Sequence, residues 1–410
     1  MRVSQILIGA GLCAGLLAWG SAALAQQQPA QRPRSDPGQI DARAGGSRFG
    51  DALPGLNAAQ MADFAQGKAE FLNVEDVEGG LGPIFNNSSC VSCHGIPAVG
   101  GSSTTLVTRF GLRVGSAYDP LVELGGSLLQ DFAIDPAAQE RVPAGANVIA
   151  KRQSTPLFGL GLIEAIPDAA IIAAASRPKP FGIRGRAAQI TDVATGQLRI
   201  GRLGWKAQLA TLLDFAGDAY LNEMGVTSRL FPHENAPNGS AALLAQFDTV
   251  TDPEDVVDPA SGKGDIDLAA DYMRLLAPPS RNPQSPSARS GEFVFEQVGC
   301  AACHTPLYQT GPSLIAALDR KPVWLYSDLL LHDMGTLGDG IAQGGAGPRE
   351  MKTAPLWGVR VSAPYLHDGR AGTVDQAIRA HDGEAAQVRD RYRQLTPTAQ
   401  RQLLDFVDTL

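Results

Sequence analysis

Cysteine and histidine are scarce in this chain, and most of them cluster in two short segments. Only five of its 410 residues are cysteine and six are histidine. Four of the cysteines form two Cys-x-x-Cys pairs, and the fifth, Cys13, lies near the N-terminus. Because a structural zinc site takes four ligands, one such pair does not make a zinc site by itself.

Long apolar runs and excess positive charge are also lacking. Beyond residue 25, no segment has the ~20 apolar residues that a membrane-spanning helix needs. Asp and Glu (42) outnumber Lys and Arg (34), for a formal net charge of -8. This balance argues against nucleic-acid binding. It is compatible with docking to a basic patch on a small redox protein.

Residues 1–25 have the pattern of a secretion signal. Residues 6–18 form an apolar core too short to span a bilayer, and Ala23-Leu24-Ala25 is a small-x-small cleavage site. Cys13 lies inside the apolar core and would be removed with it. The pattern predicts export to the periplasm.

The two cysteine pairs are each followed directly by histidine. They read Cys90-Val91-Ser92-Cys93-His94 and Cys300-Ala301-Ala302-Cys303-His304. Cys-x-x-Cys-His is the attachment sequence of c-type haem, in which both thiols bind the porphyrin and the histidine binds the iron. Disulfide chemistry would leave the repeated histidine unexplained. The spacing predicts two covalently bound haem c groups, with iron ligands His94 and His304.

The segments around the two motifs look like copies. Gly67 to Phe71 and Gly291 to Phe295 share a Gly-x-x-x-Phe pattern upstream of each motif. We therefore predict a mainly α fold of two cytochrome c-like haem modules, with irregular and short β insertions. The first module would span 52–278 and the second 287–410. A disordered tether over 26–51, rich in Gln, Pro, Arg and Gly, would precede them.

Periodicity predicts several local elements. Residues 56–71 have helical spacing with Asn57 as a candidate N-cap, and residues 189–201 resemble a β-hairpin. The apolar periodicity of residues 204–224 predicts one long amphipathic helix that passes between the haems. A final helix should follow Thr396.

Charged residues outside the motifs leave alternatives open. The acidic cluster Asp252-Pro253-Glu254-Asp255 is either a calcium site or a solvated loop. Arg152 and Lys206 either pair with haem propionates or are ordinary surface charges.

Two further segments resemble a known superfamily. Residues 354–360 (APLWGVR) and 363–370 (APYLHDGR) resemble the bacterial dihaem cytochrome c peroxidases, whose superfamily includes the dihaem enzyme of methylamine utilisation. Residues 158–164, 326–335 and 381–385 are similar to one branch, the di-haem oxidoreductase family, often labelled "thiol oxidoreductase". The resemblance covers nearly the whole chain after the signal.

The resemblance implies a second ligand for the second iron. In these peroxidases that ligand lies fourteen residues beyond the histidine of a Pro-Tyr-x-His motif, here His367, and the position is His381. The family usually has Met there, or Tyr in the methylamine branch. Ligation by His304 and His381 would give a lower reduction potential than His/Met ligation. His332 and Met334 are the alternatives to His381.

The resemblance also implies a catalytic pair at the first haem. Glu223-Met224 follows Trp205 by eighteen residues, which resembles the distal acid and the inter-haem tryptophan of the peroxidases. Glu223 would move protons during peroxide cleavage, and Trp205 would carry electrons. The alternatives are a solvated Glu223, a Trp205 that only fills the core, and Met224 as a sixth ligand of the first iron.

Together these features predict a periplasmic dihaem c-type oxidoreductase that resembles a peroxidase. Electrons from a small redox protein or a quinol-linked donor would enter at the second haem and pass to the first. There a small-molecule oxidant such as hydrogen peroxide would be reduced. A non-catalytic dihaem electron-transfer cytochrome is the main alternative, and an oxygenase or thiol-oxidising enzyme on the same scaffold is another.

Overall fold

The structure is a computed structural model that describes residues 47–410. The predicted signal peptide (1–25) and most of the predicted tether (26–51) lie outside the described residues. The chain is already packed near the start of the described part, because the Phe49 and Phe158 rings have centroids 5.3 Å apart.

Within residues 47–410 the chain forms eleven α-helices. They are Ala58–Phe71 (α1), Cys90–Cys93 (α2), Leu160–Glu164 (α3), Asp168–Ser176 (α4), Leu212–Ala219 (α5), Ala241–Phe247 (α6), Asp265–Leu275 (α7), Pro286–Val298 (α8), Val374–Ala380 (α9), Ala386–Arg393 (α10) and Pro397–Val407 (α11). A π-helix, Tyr220–Met224, continues directly from α5.

Twelve short strands lie between the helices of the described chain. They are Ile84–Phe85 (β1), Leu106–Val114 (β2), Ala117–Asp119 (β3), Leu128–Leu129 (β4), Phe132–Ala133 (β5), Val148–Gln153 (β6), Ala188–Thr191 (β7), Leu198–Gly201 (β8), Tyr308–Gln309 (β9), Pro322–Val323 (β10), Leu331–Asp333 (β11) and Glu350–Lys352 (β12). Strand β2 pairs antiparallel with β3, β4 and β6, and the other sheets are two-stranded: β1 with β5, β7 with β8, β9 with β10 and β11 with β12.

The prediction of a mainly α fold is wrong. Helices hold 34% of the residues and strands 15%, so the fold is mixed α/β with several small sheets. Glycine and proline are frequent in the sequence (46 and 28), and both disfavour helix interiors, since glycine adds backbone freedom and proline removes an amide donor. The insertions after the first motif pair as strands, with Leu106 opposite Gln153 and Gly111 opposite Val148.

The repeated Gly-x-x-x-Phe pattern marks two equivalent helix crossings. A Cβ atom on Gly67 would lie 2.2 Å from the Leu268 carbonyl oxygen of α7, and one on Gly291 would lie 1.8 Å from the Gln402 carbonyl oxygen of α11. Only glycine lets the helix backbones approach this closely. The motif-preceding helices α1 and α8 therefore cross α7 and α11 in the same way.

Capping residues explain where several helices begin. The Asn57 side chain accepts from the Gln60 amide at 2.9 Å, and the Gln60 side chain accepts from the Asn57 amide at 3.0 Å. This reciprocal capping box satisfies two amides that the first helical turn leaves unpaired. Thr396 Oγ1 accepts from the Ala399 amide at 3.3 Å at the start of α11. Both predicted caps are confirmed, as is the hairpin near 189–201, formed by β7 and β8.

The predicted helix over 204–224 is only half present. Helix α5 begins at Leu212, capped by Thr211. Residues before it form a tight turn, with Leu203 bridged to Leu209 and Ala207 in the left-handed region at φ 49°. Trp205 therefore lies outside the helix that leads to Glu223, and the prediction of one helix carrying both residues is wrong.

Residues 47–410 all fall in one structural unit. The predicted division into modules 52–278 and 287–410 stays a prediction. Across residues 47–410, no helix combines the length and the apolar character needed to cross a bilayer.

Candidate functional site

The first motif lies on the one-turn helix α2 with its histidine just beyond. His94 Nδ1 is 3.0 Å from the Gly101 carbonyl oxygen and donates its proton there, and the Thr155 backbone also contacts the ring. With Nδ1 protonated, Nε2 is the nitrogen whose lone pair can bind a metal. Burial lowers the pKa of His94 to about 4, which keeps the ring neutral. The Phe71 ring from α1 lies 6.2 Å from the His94 ring.

The second motif repeats this arrangement. His304 Nδ1 is 3.0 Å from the Tyr326 carbonyl oxygen, and burial lowers the pKa of His304 to about 4. Phe295 from α8 lies 6.5 Å from the His304 ring, centroid to centroid. Cys90, Cys93, Cys300 and Cys303 are all unbridged. Both motifs thus present two free thiols and a neutral imidazole with one free nitrogen.

His381 faces His304. Its Nδ1 is 2.7 Å from the Ala377 carbonyl oxygen, which again leaves Nε2 free, and the two ring centroids are 6.5 Å apart. Two imidazoles on opposite sides of one metal ion, each with a metal–nitrogen distance of about 2.0 Å, have ring centres about 6 to 6.5 Å apart. The spacing therefore suits two axial ligands of one iron.

A cavity of about 300 Å³ lies beside the second motif. Cys300, Cys303, His304 and His381 line it, with mostly apolar neighbours. Lys352 also lines this cavity. Its ammonium group is buried and donates to the Thr353 carbonyl oxygen at 3.4 Å, with the Asp328 carboxylate as a nearby negative charge. Burial lowers the pKa of Lys352 to about 8. A haem propionate in the cavity would give this ammonium group a further negative partner.

Trp205 lies in the wall of the same cavity, on the side of the first motif. Its indole Nε1 donates to the Gln153 carbonyl oxygen at 2.7 Å. The next residue, Ser154, donates its hydroxyl to the Cys93 carbonyl oxygen at 2.6 Å. His367 packs edge-on against the indole at 6.2 Å. Trp205 is thus connected to the first motif and borders the cavity of the second.

Glu223 lies at the end of the π-helix and is tied to the segment before the first motif. Asn86 Nδ2 donates to Glu223 Oε2 at 2.8 Å. The Asn86 and Asn87 amides both donate to the Glu223 carbonyl oxygen, at 2.8 and 3.2 Å. Burial raises the pKa of Glu223, while Arg109 and the Asn86 hydrogen bond oppose the rise. A carboxyl group with a raised pKa suits proton transfer near neutral pH, and π-helical segments often carry functional residues.

Two residues of this site were not predicted as part of it. Nothing in the sequence assigns Asn86 to Glu223, since the two are 137 positions apart. His332, considered only as a substitute ligand, has both ring nitrogens beside carboxylates: Nε2 is 3.0 Å from Asp328 and Nδ1 is 2.8 Å from Glu384. Its Nδ1 is also 3.8 Å from Cys303 Sγ.

Arg152 and Lys206 are not surface charges. Arg152 pairs with Asp339 at 2.6 Å, Lys206 pairs with the same residue at 2.9 Å, and both cations are buried. Lys206 directly follows Trp205, so this ion cluster holds the turn that carries the indole.

Comparison with protein families identifies the chain. The model of the family described as "Di-haem oxidoreductase, putative peroxidase" matches residues 137–410, more than half of the chain. The chain belongs to this family. The protein is therefore an oxidoreductase enzyme with haem as its cofactor, and the resemblance noted from residues 158–164 and 354–370 is confirmed.

No curated protein sequence matches the chain. Among solved structures, the diheme peroxidase BthA from Burkholderia thailandensis is 15% identical, covering 91% of this chain and 89% of its own, with a TM-score of 0.39. Hydrazine synthase from Kuenenia stuttgartiensis is 13% identical, covering 93% and 100%, with a TM-score of 0.35. A MauG-like protein associated with microbial copper homeostasis is 17% identical, covering 66% and 92%, with a TM-score of 0.32. At these TM-scores the similarities carry no further conclusion.

Proposed function

We propose that this family member is a periplasmic peroxidase with two covalently attached haem c groups. Electrons would enter at the second motif, pass by Trp205 and reduce an oxidant such as hydrogen peroxide at the first motif. The secretion pattern of residues 1–25 supports the periplasmic location. Covalent haem attachment is compatible with export, because exported thiols that stay free tend to form disulfides.

The attachment residues follow from the two motifs. Cys90 and Cys93 would hold the first haem and Cys300 and Cys303 the second, and His94 and His304 would bind the irons. The free Nε2 of each histidine and the opposed ring of His381 support these assignments. Haem, once bound, would supply an iron that exchanges single electrons with a donor and an oxidant.

The observation that carries the proposal is the position of Trp205. Its hydrogen bond to Gln153 and the bond from Ser154 to Cys93 link it to the first motif. The cavity that it borders also contains His304 and His381. Its ring is held by the Gln153 carbonyl, by His367 and by the buried ion cluster behind it. A fixed, partly buried indole between the motifs suits electron transfer in either direction, and the direction towards the first motif is our proposal.

Glu223 would transfer the proton during peroxide cleavage. Reduction of one hydrogen peroxide consumes two electrons and two protons and yields two water molecules. Glu223 would accept the proton from one peroxide oxygen and return it to the leaving oxygen as the O–O bond breaks. Asn86 would fix the carboxylate, since it holds Oε2 directly.

The electron donor would be a small redox protein or a quinol-linked carrier. The excess of acidic residues favours a donor with a basic docking patch. No donor surface is assigned.

Stopped-flow measurements on the haem-loaded chain test the proposal. Glu223→Gln should slow the first reaction with peroxide by about 10²- to 10⁴-fold, the usual contribution of a positioned proton-transfer group. Trp205→Phe should leave that reaction nearly intact and slow the arrival of the second electron. Glu78→Gln, at an exposed site, is the control and should match wild type.

Two outcomes would decide against the proposal. A wild-type protein that does not react with peroxide would instead act as an electron carrier or on another substrate. Wild-type peroxide kinetics in Glu223→Gln would remove Glu223 from catalysis.

A further inference from the structure

Three carboxylates converge away from both haem motifs. One oxygen from each of Glu234, Asp252 and Glu254 lies within 4.8 Å of the others. They come from two loops that flank α6, so the fold rather than sequence proximity brings them together. Across residues 47–410, no lysine or arginine side chain forms an ion pair with any of the three.

Glu234 is the unusual member of this cluster. The residue as a whole is half-buried, but its side chain is buried. Its Oε2 atom has no hydrogen-bond partner in the described structure. A buried carboxylate oxygen without a partner is costly, and here it faces two further carboxylates. A proton or a bound cation has to offset that cost.

The donor set indicates which cation. All three donors are carboxylate oxygens, which hard cations prefer over transition metals. Calcium accepts flexible, irregular oxygen geometry, whereas magnesium demands a near-ideal octahedron. Asp252 is exposed, which gives the ion a path to the buried Glu234. We infer that Glu234, Asp252 and Glu254 form a calcium-binding site, completed by water or backbone oxygens.

This assignment changes the acidic cluster predicted from the sequence. Asp255 is engaged elsewhere: its carboxylate accepts from the Asp265 amide at 2.7 Å and the Ile266 amide at 3.3 Å, at the start of α7. Glu234, eighteen positions before Asp252, takes its place in the cluster.

The proposed site is continuous with the segment that carries Glu223. The Thr227 amide donates to Glu254 Oε2 at 2.7 Å, and the Thr227 hydroxyl donates to Asp252 Oδ1 at 2.6 Å. On the other side, a Cβ on Gly80 would lie 2.5 Å from Glu254 Cβ, so the loop leading to the first motif packs on the site. Calcium would therefore hold residues 223–227 and this loop together. Any effect on peroxide chemistry rests on the proposed function, but calcium binding itself does not.

Calorimetric titration of the haem-loaded full chain with CaCl₂, after treatment with EGTA, tests the inference. We expect one calcium ion per chain, with a dissociation constant of about 10⁻³ M or tighter and much weaker binding of MgCl₂. Burial and the neighbouring carboxylates raise the pKa of Glu234 to about 9, so the calcium-free site holds a proton at neutral pH. Calcium binding should release that proton and strengthen as the pH rises towards 9.

Two substitutions and one control make the test specific. Glu234→Gln and Asp252→Asn should each weaken calcium binding at least about tenfold, since affinity follows the number of charged ligands. In EGTA, Glu234→Gln should raise the thermal midpoint, because the folded chain no longer takes up a proton at a group that is ionised when unfolded. The exposed Glu123→Gln, outside the cluster and the loop that packs on it, should match wild type in both measurements.

Three results would overturn the inference. One is the absence of any calcium-dependent heat or shift of the thermal midpoint at calcium concentrations about tenfold above the expected dissociation constant of about 10⁻³ M. Another is wild-type affinity in both cluster variants, and the third is equal affinity for magnesium. A chain that binds calcium but does not react with peroxide would refute the proposed function alone.

Discussion

Substituting Gly291 by alanine tests the paired helix crossings directly. The new Cβ would lie 1.8 Å from the Gln402 carbonyl oxygen and 2.9 Å from Phe406 Cβ. Cβ atoms in proteins essentially never approach non-bonded heavy atoms closer than 3.0 Å. The obstacle is backbone, so no side-chain rotation relieves it and α8 has to move away from α11.

The loss of unfolding free energy depends on the core contacts that this movement of α8 disturbs. Phe295, Leu403, Phe406 and Val407 form a buried cluster at this crossing. Overpacking a core costs about 1–3 kcal/mol and sometimes more, and we expect the upper end because backbone must move against backbone. Gly67→Ala, with a contact of 2.2 Å to Leu268, should behave similarly at the other crossing.

Denaturant unfolding measures the loss of stability, and haem absorption spectra show which haem is disturbed. Each variant should lose about 2–4 kcal/mol of unfolding free energy. Gly291→Ala should alter chiefly the spectrum of the second haem, because Phe295 packs near His304. Gly67→Ala should alter chiefly the first, because Phe71 packs near His94.

Gly145→Ala is the matched control. A Cβ at Gly145 meets nothing within 4 Å, so its stability should change by no more than about 1 kcal/mol. If Gly291→Ala is as stable as this control, the crossing does not need glycine, and the equivalence of the two helix pairs loses its physical basis.

Three other predictions concern the redox site. Haem should stay bound through denaturing electrophoresis, and readily extracted haem would contradict covalent attachment. His381→Ala should convert one haem from low to high spin in the EPR spectrum, and an unchanged spectrum would exclude His381 as a ligand. Asn86→Ala removes a donor that favours the ionised form of Glu223, so the already raised pKa of Glu223 should rise further. The alkaline shift of the pH–rate profile for the first reaction with peroxide measures this, and an unshifted profile would show that Asn86 does not set that pKa.

Local signals in the sequence predicted local structure well. The Asn57 and Gln60 pair marks the start of α1, because a capping box depends only on residues three positions apart. The two haem motifs are similarly self-contained. The prediction for residues 204–211 failed because Leu209 and Ala210, which fit a helical period, are buried by packing outside any helix. Tertiary contacts there override the local preference.

Long-range juxtapositions were beyond the sequence. The distance between His304 and His381 was expected only through the family resemblance, and nothing local pairs Asn86 with Glu223 or Glu234 with Asp252. Such contacts depend on where loops cross in space. The mixed α/β character was missed for a related reason, since two- to four-residue strands carry too little periodicity to be recognised.

The environment of His332 has a consequence for how the second motif responds to acidity. Carboxylates only accept hydrogen bonds, so the contacts to Asp328 and Glu384 require a proton on each ring nitrogen. Burial lowers the pKa of His332, but the contacts to Asp328, Cys303 and Glu384 outweigh it and raise that pKa to about 11. The ring beside Cys303 is thus a permanent cation over the physiological range, held within a cluster that Lys179 completes through Asp328. We expect electron uptake at the second motif to proceed without uptake or release of a proton by His332. The free energy of electron uptake should therefore not depend on pH through this histidine.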